Sequence, residues 1–262
     1  VLHWIFYIIS FIACIIGSIC GIGGGVIIKP VLDTFAVFDV TTISFLSGCT
    51  VLAMTCYSVG KTVYKKEAII DFRISTPLAI GAIGGGILGK LLFNNVAMVL
   101  SNSNKVGAIQ AVTLFVLTLG TLIYTINQEK IKTHEITNVY ICITIGLLLG
   151  ILSSFLGIGG GPINLVILYF FFSLSTKAAA QNSLFIILFS QVSSLLQTII
   201  TKTVPEFVLS LFVGMVAFGI LGGIVGRKIN FRIDEKAVSK LFVILMCFIM
   251  LINVYNTYRY SL

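Results

Sequence analysis

The residues in this chain with the means to do chemistry are few, and most of them are glycines. Gly21-Ile22-Gly23-Gly24-Gly25 and Gly157-Ile158-Gly159-Gly160-Gly161-Pro162 carry the same five letters 136 positions apart in 262 residues. Four glycines in five residues oppose a continuous helix, and Pro162 follows the second set at once. Each copy interrupts a long apolar run, so the broken backbone lies at membrane depth. Such backbone is tolerated only where protein buries it or where it lines an aqueous cavity. Its freed amides and the helix N-terminus beyond it are donors suited to an anion. Gly21, Gly23, Gly24 and Gly25, with Gly157, Gly159, Gly160 and Gly161, are therefore read as a binding or gating region. The competing reading is that they only let helices pack closely.

Other polar groups stand near the breaks. Lys29 and Asp33 are spaced i, i+4 on the short arm after the first one, and an ionisable residue at membrane depth is a functional candidate by default. Lys29 would attract an anion and Asp33 would carry a coupling proton; the bland alternative is a mutually neutralised pair near the interface. The matching places on the second arm hold Leu165 and Tyr169. Asn164, three residues past the second break, and Gln181 and Asn182, at the start of the next helix, could hydrogen-bond an oxyanion or simply join helices. Gln110, Gln191 and Gln197 are weaker candidates of the same kind.

Several chemistries find no residues. There is no G-x-S-x-G, H-E-x-x-H, C-x-x-C or ATP-binding P-loop. His3 and His134 have no histidine partner at ligand spacing, so neither a metal nor another cofactor is expected and the chain does not read as an enzyme. The six cysteines all lie inside apolar runs and read as small hydrophobes. A net charge of +8 reflects basic residues set between apolar runs, not a nucleic-acid surface.

The elements that must position these residues are membrane helices. Hydrophobic residues make up 58% of the chain and charged residues 10%, far from the balance of a water-soluble domain. Mean hydropathy is +1.10. Spans of the required ~20 residues are expected at 2–20, 41–59, 74–93, 106–126, 138–156, 178–200, 207–226 and 241–258. The arms 26–38 and 162–174 are too short to cross as helices. Polar loops are expected at 61–73, 94–105 and 227–240. The first run lacks the basic start of a signal peptide, and since the sequence opens on Val1, residues are expected upstream. The fold class is thus all-α, a polytopic membrane protein with the lipid bilayer as its surroundings and one integral domain.

The chain also reads as a duplication. Gly85-Gly86-Ile87-Leu88-Gly89-Lys90 parallels Gly222-Gly223-Ile224-Val225-Gly226-Arg227 at an offset of 137, which divides the chain into repeats 1–127 and 128–262. Loop 61–73 is basic while its partner near Lys202 is not; loop 94–105 is poor while its partner 227–240 is strongly basic. A charge bias that swaps between halves is what inverted topology requires, with the termini outside and the central linker inside. Five elements per half give inversion if each break is a re-entrant hairpin, and four give parallel halves if it is one broken helix. Either form brings the breaks together at the centre. The patterns Gly17-x-x-x-Gly21, Gly85-x-x-x-Gly89, Gly146-x-x-x-Gly150 and Gly222-x-x-x-Gly226 suit close helix packing.

At the two GIGGG blocks the chain resembles the TauE/SafE family of sulfite exporter-like bacterial membrane proteins, whose pattern is G-x-G-G-G, a few apolar residues and a proline. Gly21–Pro30 reads GIGGGVIIKP and Gly157–Val166 reads GIGGGPINLV. The blocks ending in Lys90 and Arg227 are also similar to the family, and the resemblance covers nearly the whole chain. It departs in having Lys29 just before Pro30 and Pro162 directly after the second glycines. The resemblance implies export or uptake of a small anion, often a sulfur oxyanion or organosulfonate, across the bacterial inner membrane. The mechanism expected is alternating access, with proton coupling an option. A passive channel, or another small solute, is the alternative. Homo-oligomerisation is left open.

Overall fold

Long apolar runs with short polar breaks produce a bundle of helices, described over residues 2–65, 69–100 and 103–261 in the computed structural model. The helices are α1 (Leu2–Cys20), α2 (Gly25–Phe35), α3 (Val40–Tyr64), α4 (Phe72–Leu100), α5 (Ser103–Asn127), α6 (Val139–Leu156), α7 (Pro162–Phe172), α8 (Thr176–Ile200), α9 (Leu209–Arg232) and α10 (Glu235–Ser261). Among the described residues, eight of these are long and apolar enough to cross a membrane. The other two, α2 and α7, have 11 residues each, about 16 Å of helix against a hydrocarbon core of about 30 Å. The chain is an all-α polytopic membrane protein.

The short helices turn back beside the helices that precede them. Phe6, near the start of α1, stacks edge-on against Phe35 at the end of α2 and also contacts Phe38. At the other end of the pair, Cys14 packs on Gly24. So α1 and α2 form a hairpin whose tip is the first glycine block. In the second hairpin, the linker before α6 lies along the end of α7, where the His134 and Ile136 amides donate to the Phe170 and Phe171 carbonyls. Both short helices stop the same way. Ala36 and Ser173, 137 positions apart, take the left-handed conformation (φ 53° and 52°) and close the last turn.

Contacts between helix ends define two faces. On one, Asn182 at the start of α8 bonds the α3–α4 loop, Thr176 meets Ser239 of α10, Tyr124 near the end of α5 meets Tyr169 and Phe170, and Arg227 near the end of α9 reaches Thr62. On the other, Thr42 bonds the α8–α9 loop at Glu206, Tyr7 bonds Ser210, and Asn256 and Arg259 of α10 bond the α2 carbonyls of Pro30 and Asp33. The first face carries Lys61, Lys65, Arg73, Lys130, Lys132, Lys177, Lys228, Arg232, Lys236 and Lys240. The second carries Lys105, Lys202 and Arg259. The hairpins enter from opposite faces, and α3 and α8 run antiparallel through the middle.

Lateral packing exchanges the halves. Helix α1 packs on α9, α6 on α4, α2 on α10 and α7 on α5. The glycine spacings make this possible. A Cβ on Gly146 would lie 2.0 Å from the Leu78 carbonyl oxygen, and one on Gly222 would lie 2.4 Å from that of Phe11, so backbones touch where side chains would separate them.

Two expected loops are shorter than the sequence suggests. The stretch 94–105 is largely helical, because Val96, Ala97 and Leu100 still pack on the core and carry α4 past Asn94 and Asn95. The stretch 227–240 is helix on both sides of a two-residue break, since Lys and Arg are good helix formers and Asp234 caps α10 by accepting from the Ala237 amide at 3.1 Å. Lys66, which the sequence places in loop 61–73, lies outside the described residues.

Candidate functional site

The two glycine tips touch at mid-bundle. Gly21 and Gly23, then Gly157, Gly159 and Gly160, have φ between +65° and +150°, which only glycine adopts readily. A Cβ on Gly25 would sit 2.0 Å from the Ile158 carbonyl oxygen, and one on Gly160 would sit 3.2 Å from that of Ile22. Helices α3 and α8 clasp the junction with paired residues. Val51 lies against Gly23 and Gly159, and Ile187, 136 positions later, against Gly23 and Gly160. Gly21 packs on Ala180, and Gly157 on Ser44, again 136 apart.

The tips are rich in donors. Around them the amides of Ile22, Ile27, Ile28, Gly157 and Asn164 are bonded to backbone carbonyls. Those of Gly23 to Gly25 and of Ile158 to Gly161 donate to no described residue. Helices α2 and α7 both begin here, so two N-termini, each with its partial positive charge, converge from opposite directions. Buried hydroxyl oxygens without a hydrogen-bond partner surround them: Ser44 and Ser47 on α3, Ser153 and Ser154 on α6, and Ser183 on α8. Buried polar groups are seldom left unpaired. Ser47 and Ser183 are again 136 apart.

The other candidates distribute unevenly. Lys29 and Asp33 form a 3.0 Å ion pair, both side chains buried, against the end of α10. That places them toward the less basic face and away from the tip contacts. Asp33 borders a polar cavity of about 540 Å³ there, lined also by Asp39, Glu206 and Arg259. Asn164 lies beside Gly160 and Gly161 in a crevice against α5 and α6. Asn182 is fully engaged: its oxygen accepts from the Asp71 amide and the Ser75 hydroxyl, and its nitrogen donates to the Ile69 and Ala178 carbonyls. Gln181 accepts from Thr62 at 3.4 Å, and its nitrogen is buried without a partner. Gln110 holds α5 to the end of α6 through the Phe155 carbonyl at 2.6 Å.

Two basic residues that end the repeated glycine blocks also join this site. Lys90 on α4 and Arg227 on α9 are each 7% exposed, so both side chains are interior. Lys90 shares a cavity of about 20 Å³ with Ser44, Ser154, Gly157 and Gln191, space for one water. Arg227 donates to Thr62 at 3.3 Å, and Thr62 contacts Gln181. A basic residue at the same place in both copies was the available signal; its burial was not.

The family model described as sulfite exporter TauE/SafE matches residues 6–253. A curated relative, the probable membrane transporter protein YunE of Bacillus subtilis (strain 168), is 24% identical over 248 residues, covering 86% of this chain and 89% of its own. No solved structure matches the chain. With glycine-tipped hairpins, eight apolar spans among the described residues and a family match over nearly its whole length, the chain is a multi-pass membrane transporter protein and belongs to the sulfite exporter TauE/SafE family.

Proposed function

We propose that the chain is a secondary transporter of a small anion, a sulfur oxyanion or organosulfonate, working by alternating access of two inverted repeats in the bacterial inner membrane. The observation that carries this reading is the meeting of two helix N-termini and their free amides at mid-bundle, where no carboxylate sits among the described residues. A sulfonate or sulfite group offers three oxygens to such donors. Antiparallel α3 and α8, hairpins entering from opposite faces and the 136-residue pairing of contacts support the inverted arrangement. The face rich in Lys and Arg is then cytoplasmic and both described ends of the chain face out.

The tight tip contact and the one-water cavity beside Lys90 favour a carrier over an open pore. The test is flux into proteoliposomes of sulfite, thiosulfate, a sulfonate and an unrelated carboxylate, with and without a proton gradient. Saturable flux of a sulfur anion is expected, and a response to the gradient identifies proton coupling. Flux that rises linearly without saturation makes the chain a channel. Flux of the carboxylate alone removes the sulfur-anion assignment.

A further inference from the structure

The geometry points to Lys90 and Arg227 as two successive anion stations, one on each side of the glycine tips. Lys90 would serve the less basic face and Arg227 the basic face. This rests on the anion-transport reading and adds to it the residues and the order of contact.

The two residues are related by the internal repeat but lie on opposite sides of the centre. Helix α4 starts at the basic face, and Lys90 stands 18 residues along it, well past the middle. Helix α9 starts at the other face, and Arg227, also 18 residues along, lies near the basic face. Each touches an aromatic ring of its own helix at 4.8 Å, Phe93 and Phe231. Each approaches α3 and α8, which supply polar lining, joined at Lys90 by Ser154 of α6.

Around Lys90 that lining lacks partners. Ser44 and Ser154 are 8% and 4% exposed, and their hydroxyl oxygens bond nothing described. Gln191 completes the wall and Gly157 of the second tip closes it. Among the described residues no carboxylate pairs with Lys90. A cation held at membrane depth beside idle hydroxyls is matched by a ligand with negative charge and several acceptor oxygens. Around Arg227 the polar lining is Thr62, which accepts from it at 3.3 Å, and Gln181, which contacts Thr62 and whose nitrogen is buried without a partner. The Lys90 cavity takes one water in this conformation, so the anion would enter only when the bundle opens on that face.

The test is sulfite and thiosulfate uptake in proteoliposomes of uniform, verified orientation, with half-saturation measured separately from each face. Lys90→Gln should raise the half-saturation concentration at least tenfold from the less basic face and less than twofold from the other. Arg227→Gln should do the reverse, and Lys90→Arg should stay near wild type. Should Lys90→Gln fail to insert, the Ser44→Ala/Ser154→Ala double variant carries the same test, since it removes only idle hydroxyls. Equal changes from both faces, or none, overturn the stations while wild-type anion flux leaves the transport reading intact. Wild-type protein that carries no anion removes both.

Discussion

Replacing Gly25 by Ala separates a packing role from a transport role at the hairpin tips. The backbone at Gly25 is ordinary helix, so alanine costs nothing in conformation and by propensity favours α2 by about 1 kcal/mol. The added methyl is the whole perturbation. It would lie 2.0 Å from the Ile158 carbonyl oxygen, 2.6 Å from its carbon and 2.9 Å from the Ser47 hydroxyl, where ordinary contact begins at 3.4 Å. Two of these neighbours are backbone and cannot rotate away, so the tips must part by more than an ångström. Overpacking of this kind costs about 1–3 kcal/mol; the propensity gain acts in every conformation in which α2 is helical, so the whole penalty falls on the conformation in which the tips touch. Any transport step passing through that conformation slows by about 5- to 150-fold. Gly60→Ala is the control, because no atom lies within 4 Å of its added Cβ. Both variants should insert and purify like wild type; initial sulfite uptake should fall for Gly25→Ala and hold for Gly60→Ala. A Gly25→Ala protein with the wild-type rate would refute the argument that tip contact belongs to the cycle.

Two further predictions follow from the same geometry. Removing one partner of the buried Lys29–Asp33 pair, as in Lys29→Ala, leaves an uncompensated interior charge, a loss of about 3–5 kcal/mol. That variant should melt well below wild type, while Lys29→Leu/Asp33→Tyr, which copies Leu165 and Tyr169 of the second half, should recover most of the loss. If the double variant also keeps gradient-driven flux, Asp33 carries no coupling proton. For the topology, in a cysteine-free background Lys202→Cys should react with a membrane-impermeant thiol reagent from outside the cell, and Lys65→Cys only after permeabilisation. The opposite pattern inverts the assigned orientation, and labelling of both from one side removes the antiparallel arrangement of α3 and α8.

The spans and glycine breaks were legible because hydropathy and backbone freedom are properties of local sequence. The short arms were legible by length alone, and 26–38 and 162–174 differ from α2 and α7 by only a few residues at their ends. Helix ends were less so: 227–240 looks like a loop because charge is equated with water, yet long basic side chains let a helix run on into the interface. Lateral contacts were not legible. Nothing in α1 names α9 as its neighbour, and GxxxG spacing says that a backbone approaches without saying which. The same gap hid the interior placement of Lys90 and Arg227, whereas the Lys29–Asp33 pairing was legible from its i, i+4 spacing and its place against the end of α10 was not.

The halves of the chain form an internal comparison that narrows where coupling can reside. Features that an alternating carrier needs in both of its orientations should recur at an offset of 136 or 137. The glycine tips, the left-handed stops at Ala36 and Ser173, the hydroxyls of Ser47 and Ser183, and the basic residues Lys90 and Arg227 all do. Features that make one direction of transport differ from the other must be unpaired. Among the polar residues around the tips, that set includes the Lys29–Asp33 pair, its 540 Å³ cavity with Asp39 and Glu206, Asn164, whose counterpart is Ile28, and the Gln181–Asn182 step, whose counterparts are Phe45 and Leu46. Of these, only the first two contain groups able to exchange a proton, and both lie toward the face assigned to the outside. A gradient dependence, if flux shows one, should therefore fall to substitutions at Asp33, Asp39 or Glu206. It should survive substitution of the paired residues, whose loss would change affinity and rate while leaving the response to the gradient in place.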